Sequence, residues 1–175
     1  MRRRWMIGLG ANLGDAHQAL GRTLKRLQDD SRVRVVSVSS VWRSAPVDAS
    51  GPDFLNAVVA IDTELDPNPL LGLAQTLELQ EGRQRPYRNA PRTLDVDLLF
   101  GESLTLATET LTLPHPRMHL RAFVLQPLLE IDPQAQIPGL GAAAEWLGRI
   151  TDQPIERIGE LESTSSARPR EVTSS

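Results

Sequence analysis

Short apolar runs and stretches of helical spacing alternate along the first third of the chain. The apolar run Trp5–Leu9 ends in Gly8, Gly10 and Gly14, a pattern that predicts a buried strand entering a tight loop. From Asp15, a plausible N-cap, apolar residues recur at helical spacing until Asp29-Asp30, which predicts a helix. The β-branched stretch from Val33 to about Arg43 predicts a second strand, because such side chains pack well in sheets.

The same kinds of element recur in the middle of the chain. Phe54–Ile61 is a dense apolar run that predicts a third strand. Asp66-Pro67 provides an N-cap and a first-turn proline for a second helix, which Gly82 would end. Over Leu94–Leu98 apolar residues alternate with two aspartates, so this strand would have one apolar and one acidic face.

This order of elements, βαββαβ, predicts an α+β protein with a ferredoxin-like fold. In that arrangement an antiparallel sheet carries both helices packed on one face, and the open face can hold a site. A C-terminal hairpin near residues 104–113 and a short apolar helix over Arg121–Ile131 should follow. We expect a single domain over residues 1–160 and a flexible tail over residues 161–175, which have no periodic pattern.

Composition narrows the classes of function. The 175 residues include no cysteine, which excludes disulfides, thiolate catalysis and zinc fingers and leaves carboxylates and histidine as strong metal ligands. A net charge of -3 argues against a dedicated nucleic-acid binder. No stretch approaches the roughly 20 apolar residues of a transmembrane helix. We therefore expect a cytoplasmic monomer that acts on small molecules, with no nucleic-acid or membrane partner.

Asp95 and Asp97 are the clearest chemical signal. Two positions apart on a strand, they would lie about 7 Å apart at the backbone and point the same way, which suits Mg²⁺ with phosphate or water oxygens as further ligands. A solvated strand face gives the same pattern. Four arginines that precede the pair favour a site, because guanidinium groups match phosphate oxygens: Arg83, Arg85, Arg88 and Arg92. Together these residues predict a nucleoside triphosphate site for phosphoryl-type transfer.

Two isolated residues are ambiguous. Asn56 interrupts an apolar run, so its amide would be buried and must find hydrogen-bond partners, which a ligand edge could supply. His115 stands between two prolines and either contacts a phosphate or is an incidental surface residue. The first loop is not a dinucleotide-binding motif, because Leu13 occupies a position that requires glycine, and no P-loop sequence occurs.

The ordered motifs of the chain resemble those of the 6-hydroxymethyl-7,8-dihydropterin pyrophosphokinase family of folate biosynthesis over about residues 6–133. The string Pro91-Arg92-Thr93-Leu94-Asp95-Val96-Asp97 is by itself nearly diagnostic. The other matching motifs are Ile7 to Gly14, Ser39-Ser40 to Pro46, Asp53 to Ala57, Glu78 to Arg83, and Pro114-His115-Pro116 with Arg121 to Leu125.

The resemblance implies a ferredoxin-like catalytic domain. It also implies an ATP-dependent transfer of the β,γ-diphosphate of MgATP to the hydroxymethyl oxygen of the pterin, with release of AMP. By motif position, Asp95 and Asp97 would hold two Mg²⁺ ions and act in catalysis with Arg83 and Arg92. The implied ATP-binding residues are Gln75, Glu78, Arg85, Arg88, Leu98, Thr112, His115 and Arg121. The implied pterin-binding residues are Ser44, Ala45, Pro46, Val47, Phe54, Asn56 and Phe123.

The chain departs from the family pattern at several positions. Ala11 replaces a commoner serine, Asn89 stands where many members have a tryptophan that covers the ligands, and Thr110 stands where some have an arginine that contacts ATP. The strand that contains Asp97 has one apolar residue fewer before Phe100 than is usual, which leaves its register there open.

Two other functions fit parts of the pattern. A minimal nucleotidyltransferase also uses paired carboxylates, but it needs a Gly-Ser motif that Gly82-Arg83 does not supply. An RNA-recognition domain shares the element order, but it needs exposed aromatic residues on its central strands, where this chain has Asp95 and Asp97.

Overall fold

The computed structural model describes residues 1–12, 15–46, 52–82 and 94–163. Its main strands and helices confirm the predicted order. The strands are β1 (Arg3–Ala11), β2 (Val33–Val38), β3 (Ser40–Ser44), β4 (Phe54–Thr63), β5 (Asp95–Gly101), β6 (Leu106–Ala107), β7 (Thr112–Leu113), β8 (Gln136–Ile137), β9 (Gly141–Ala142) and β10 (Ile155–Glu160). The helices are α1 (Ala16–Asp29), α2 (Pro67–Gly82), α3 (Ala122–Ile131) and α4 (Ala143–Gly148), with a 3₁₀ turn over Met118–Leu120.

The main sheet is antiparallel, with the strand order β10-β3-β4-β1-β5 and with β2 also paired to β4. The strand predicted over residues 33–43 is in fact two strands that meet at Ser39. There the Ser39 hydroxyl accepts a hydrogen bond from the Val58 N–H (2.8 Å), and the Ser39 N–H donates to the Val58 carbonyl (2.9 Å). These bonds keep the chain attached to β4 across the interruption.

One face of the sheet is covered by α1 and α2, as predicted. Alternate residues of β1, from Trp5 to Ala11, point into this layer and pack against apolar side chains of both helices, such as Leu24 and Leu70. We call this layer the helix-pair core. Trp5 is fully buried in it, and its indole N–H has no hydrogen-bond partner among the described residues.

The opposite face is not left open as expected, because α3 covers part of it. Met6 and Val58, on neighbouring strands, pack there against Leu125 and Leu128 of α3. Trp146 of α4 lies at the margin of this second layer, which we call the α3 core. The predicted short apolar helix is therefore confirmed, and a cavity remains on this face beside the N-terminal end of α3.

The helix pair is held together by an ion-pair cluster near the end of α2. Glu81 accepts hydrogen bonds from the guanidinium groups of Arg22 (2.9 Å) and Arg26 (2.7 Å) on α1. Burial acts to raise the pKa of Glu81, but the two guanidinium groups outweigh it and hold the pKa below its usual range. No helix in the described part of the chain is both long and apolar enough to cross a membrane.

Candidate functional site

A cavity of about 360 Å³ lies on the α3 side of the sheet, beside the N-terminal end of that helix. It brings together residues predicted for different roles from β3, β4, β5 and α3. The predicted residues that line it are Ser44, Ala45, Pro46, Phe54, Asn56, Asp95, Asp97, Arg121 and Phe123. The cavity therefore joins an aromatic and amide-lined part to an acidic part.

The floor of the cavity consists of two rows of residues that run across three strands. In the first row Gly10 of β1 pairs with Asn56 on one side and with Asp95 on the other. In the second row Gly8 pairs with Val58 and Asp97. Asn56 and Asp95 are thus two strand spacings apart, or about 10 Å at the backbone.

Gly8 and Gly10 have no side chains that would project from this floor into the cavity. We expected the glycines to lie in a tight loop, but both belong to β1, which continues to Ala11. A Cβ atom at Gly10 would lie 3.4 Å from Asn56 Oδ1. The missing side chains leave a flat strip between Asn56 and the aspartates, and these two glycines are site residues that the sequence analysis did not identify.

Asn56 is buried, as predicted, with 4% of its surface exposed. Its amide nitrogen donates to Ser44 Oγ (2.8 Å) and to the Trp42 carbonyl oxygen (3.4 Å), both on β3. These two acceptors fix the amide so that Oδ1 faces the strip beside Gly10. The protein therefore satisfies the donor side of the amide, and the acceptor side remains for a ligand.

The walls next to Asn56 are aromatic. Phe54 of β4 and Phe123 of α3 are both half-buried and line the same cavity. The guanidinium carbon of Arg121 lies 5.5 Å from the centre of the Phe123 ring, within range of a cation–π interaction. Such walls fit a flat, partly apolar ring system whose polar edge reaches Asn56.

Asp95 and Asp97 form the acidic end of the cavity. Both are half-buried, and both make interactions within the protein. Between and beyond them, Val96 and Leu98 point into the helix-pair core, which confirms the predicted two-faced strand. The side chain of Leu98, which was predicted to bind ATP, therefore lies on the other face of the sheet from the cavity.

The described residues contain no cluster of three or more histidine, cysteine, aspartate or glutamate side chains suited to a metal ion. Asp95 and Asp97 offer two carboxylates on one face, which fits Mg²⁺, because this ion commonly takes one or two protein carboxylates and fills its other positions with water and phosphate oxygens.

His115 is half-buried and does not line the cavity. Its backbone N–H donates to the Leu99 carbonyl (2.7 Å), and its Nδ1 accepts from the Arg117 N–H (3.1 Å). Burial, and after it the positive charges of Arg121 and Arg117, lower the pKa of His115. The imidazole is thus neutral near pH 7, with its proton on Nε2, where it can donate to an anionic ligand.

The remaining predicted residues divide into two groups. Three lie among the described residues but not at the cavity: Gln75 is exposed on α2, Glu78 is half-buried on the same helix, and Thr112 is exposed on β7. The others lie outside the described residues: Arg83, Arg85, Arg88, Arg92 and Val47.

Asn12 is a further cavity residue that the sequence analysis did not single out. It follows β1 directly, and its Oδ1 is buried without a hydrogen-bond partner in the part of the chain that the structure describes. From its place in the cavity wall, this oxygen can accept a hydrogen bond from a ligand or bind a cation. An amide placed directly after a glycine-containing strand was the available signal.

The sequence and the fold of the chain are similar to those of known proteins. The model of the family described as 7,8-dihydro-6-hydroxymethylpterin-pyrophosphokinase, or HPPK, matches residues 6–133. A 2-amino-4-hydroxy-6-hydroxymethyldihydropteridine pyrophosphokinase from Methylorubrum extorquens is 40% identical over 156 residues, which are 89% of this chain and 98% of that protein. The protein of the same name from Bacillus subtilis is 40% identical over 143 residues, or 81% of this chain and 86% of that one.

Solved structures show the same fold at much lower identity. The structure of wild-type Plasmodium falciparum HPPK-DHPS with pteroate has a TM-score of 0.67 and 12% identity to this chain. The match covers 85% of this chain and 42% of that chain, so this chain spans less than half of that protein. At this identity the likeness concerns the fold alone.

Proposed function

The chain belongs to the 7,8-dihydro-6-hydroxymethylpterin-pyrophosphokinase family, and on that premise we propose which residues of the cavity carry out its reaction. The protein is a pyrophosphokinase of folate biosynthesis. It transfers the β,γ-diphosphate of ATP to the hydroxymethyl oxygen of 6-hydroxymethyl-7,8-dihydropterin, which yields the pterin diphosphate and AMP. The attacking oxygen forms a bond to the β-phosphorus, the bond from that phosphorus to the AMP oxygen breaks, and the hydroxyl proton is released.

We assign the aromatic part of the cavity to the pterin. Phe54 and Phe123 would contact the two faces of the ring system, and Asn56 Oδ1 would accept a hydrogen bond from a ring N–H or from the amino group. The strip over Gly8 and Gly10, which has no side chains, then leaves room for the heterocycle between the two phenyl rings. The single observation that carries this assignment is the fixed amide of Asn56, whose donor side is satisfied and whose acceptor side faces the cavity.

We assign the acidic end of the cavity to the diphosphate. Asp95 and Asp97 lie across the glycine strip from Asn56, so the hydroxymethyl group of a pterin bound to Asn56 would extend toward them. Mg²⁺ held by these carboxylates would neutralise charge on the transferred phosphates. His115, neutral and with Nε2–H available, would donate to a phosphate oxygen, and Arg121, which lines the same cavity, would supply positive charge to the phosphates.

We also propose the ferredoxin-like topology for the main sheet. When β2 and β3 are counted as one interrupted strand, the order from the edge is β5, β1, β4 and then the interrupted strand, with every neighbour antiparallel. This is the order of a split βαβ arrangement. A single catalytic domain over residues 1–160, acting as a cytoplasmic monomer on ATP and the pterin without nucleic-acid or membrane partners, belongs to the same proposal.

Product analysis tests the proposed reaction. The protein is incubated with ATP, Mg²⁺ and 6-hydroxymethyl-7,8-dihydropterin, and the nucleotide products are separated by chromatography. We expect AMP in amounts equal to the pterin diphosphate, and no AMP when the pterin is omitted. ADP as the product would indicate an ordinary kinase, and pyrophosphate would indicate the nucleotidyltransferase alternative. Asp97→Asn serves as the inactive control.

A further inference from the structure

The C-terminal end of α3 is attached to β3 by one carboxylate. Glu130 Oε1 accepts hydrogen bonds from the Ser40 backbone N–H (2.8 Å) and from the Trp42 indole N–H (3.1 Å). Glu130 Oε2 accepts a third from the Ser40 hydroxyl (2.5 Å). Both oxygens of the side chain are therefore engaged by two residues of the same strand.

Strand β10 supports this attachment from the other side. Arg157 Nε donates to Ser40 Oγ (2.8 Å) and lies 3.9 Å from Glu130 Oε2. The same strand pairs with β3 from Ser40 to Ser44. The family model matches residues 6–133, so β10, which contributes Arg157 to this attachment, lies outside the matched segment. We call Glu130, Ser40, Trp42 and Arg157 the α3–β3 clamp.

The protein stabilises the charged form of the Glu130 carboxylate in the clamp. Partial burial acts to raise the pKa of Glu130, but the hydrogen bonds from Ser40 and Trp42 and the charge of Arg157 outweigh it and hold the pKa below its usual range. The carboxylate is therefore ionised at neutral pH. Its side chain is 31% exposed, so the clamp is an interfacial rather than a core feature.

The two clamped elements both reach the cavity at their other ends. Phe123 lies seven positions before Glu130, or about 10 Å along the helix. Ser44 lies four positions after Ser40, or about 13 Å along the strand. Since Phe123 and Ser44 both line the cavity, α3 and β3 run side by side from the clamp to the cavity walls.

The hydrogen bonds of the clamp fix the position of α3 along β3 more specifically than apolar packing does. The contacts of Val124, Leu125 and Leu128 hold α3 on the sheet, but the hydrophobic effect behind them is non-directional. Three hydrogen bonds to defined atoms of β3 determine where the helix stands along that strand. They therefore also determine how far Phe123 stands from Ser44 and from the amide of Asn56 that Ser44 holds.

From this geometry we infer that Glu130 is a positioning residue for the pterin, which it does not touch: by anchoring α3 to β3 it sets the width of the slot between Phe123 and the wall formed by Ser44 and Asn56. The inference rests on the proposed assignment of the cavity to the pterin. A misplacement of about 1 Å in a binding site can cost as much as 100-fold in rate. We therefore expect loss of the clamp to weaken pterin binding more than ATP binding, because Arg121 moves with α3 whereas Asp95, Asp97 and His115, also assigned to the phosphates, stand on other elements.

The test compares Glu130→Ala, Glu130→Gln and Trp42→Phe with the wild-type enzyme. For each protein, the pterin Kd is measured by fluorescence titration, and kcat and KM for both substrates are measured by AMP formation. We expect Glu130→Ala to raise the pterin Kd and KM at least about tenfold, with the KM for ATP within about twofold. Glu130→Gln retains an oxygen acceptor for the Ser40 and Trp42 N–H groups, so it should recover much of the affinity, and Trp42→Phe should have a smaller effect.

Glu145→Gln on α4 is the matched control, because Glu145 is an exposed helical carboxylate outside the clamp, and it should behave as wild type. Thermal melting checks that each variant is folded. A folded Glu130→Ala that binds pterin as the wild type does would overturn the inference, as would equal loss of pterin and ATP in Trp42→Phe, which keeps the carboxylate and the aromatic ring. If Glu130→Ala does not fold, the decision rests on the pterin Kd of Trp42→Phe and Glu130→Gln. Failure of the wild-type enzyme to form AMP would instead reject the proposed function.

Discussion

Replacing Gly10 with alanine would add a methyl group to the floor of the cavity and change little else. The new Cβ would lie 3.4 Å from Asn56 Oδ1 and 4.0 Å from the Leu55 carbonyl oxygen, which are ordinary contact distances. Gly10 is not among the glycines with positive φ, so alanine can adopt its backbone conformation. Because alanine also restricts the unfolded chain, we expect the free energy of unfolding to stay equal or rise by about 0.4–1 kcal/mol.

Although stability should be kept or should rise, the affinity of this variant for the pterin should fall. The methyl group would stand between Asn56 and Asp95, on the strip where the heterocycle is proposed to lie. An extra methyl group forced into a packed contact costs about 1–3 kcal/mol. Such a penalty corresponds to a rise in Kd of about 5- to 150-fold. Fluorescence titration with the pterin measures this change, and thermal melting of the same sample measures stability.

Gly101→Ala is the matched control for this experiment. Its Cβ would lie 2.8 Å from atoms of the Trp5 ring, inside the helix-pair core, so this variant should lose stability. The two glycine substitutions should thus separate binding from folding. If Gly10→Ala binds the pterin with wild-type affinity, the assignment of this floor to the pterin is wrong. If it is clearly destabilised, the packing argument for Gly10 is wrong.

Three further predictions test other parts of the site. Asn56→Ala should weaken pterin binding by about 1–3 kcal/mol, because a buried polar partner is lost, and should leave binding of a fluorescent ATP analogue unchanged; equal loss of both ligands would point to misfolding. Asp95→Asn and Asp97→Asn should each abolish Mg²⁺-dependent AMP formation with little change in melting temperature, because their side chains face away from the helix-pair core; near-normal turnover would show that the pair is only a solvated strand face. His115→Asn keeps an acceptor for the Arg117 N–H but removes a titrating group. In the wild type the folded-state pKa of His115 lies below the ordinary 6.5, so the unfolded chain binds this proton first and the free energy of unfolding falls as the pH drops through this range. Urea unfolding between about pH 5 and 8 should show a smaller decrease in the free energy of unfolding for the variant than for the wild type. If the free energies of the two proteins change in parallel with pH, the lowered pKa of His115 is contradicted.

The elements that the sequence predicts well are those with a strong local pattern. Helical spacing after Asp15 and the Asp66-Pro67 start predicted α1 and α2, and the alternation around the two aspartates predicted the two faces of β5. The split of one predicted strand at Ser39 was missed, because it depends on hydrogen bonds to Val58, a residue on another strand. Periodicity carries no information on such a contact.

In the site too, features that depend on neighbouring residues in the sequence could be predicted, and features that depend on contacts between distant residues could not. Asn56 was recognisable as a buried amide, but its partners on β3 follow only from the sheet register. Gly8 and Gly10 suggested a loop, since glycine is common in turns, and their place inside β1 became clear only from their pairing with Asp97 and Asp95. The position of α3 over the second face of the sheet could not be predicted from the sequence either, because it depends on packing against strands that are distant in sequence.

The three tryptophans of the chain fall into three different regions of the fold. Trp5 is sealed in the helix-pair core, Trp146 borders the α3 core, and Trp42 belongs to the α3–β3 clamp. Indole emission responds to the polarity around each ring. Single-tryptophan variants would therefore let intrinsic fluorescence follow each of these regions separately, and the Trp42 signal would provide an unlabelled optical reporter of how α3 settles against the sheet as ligands bind.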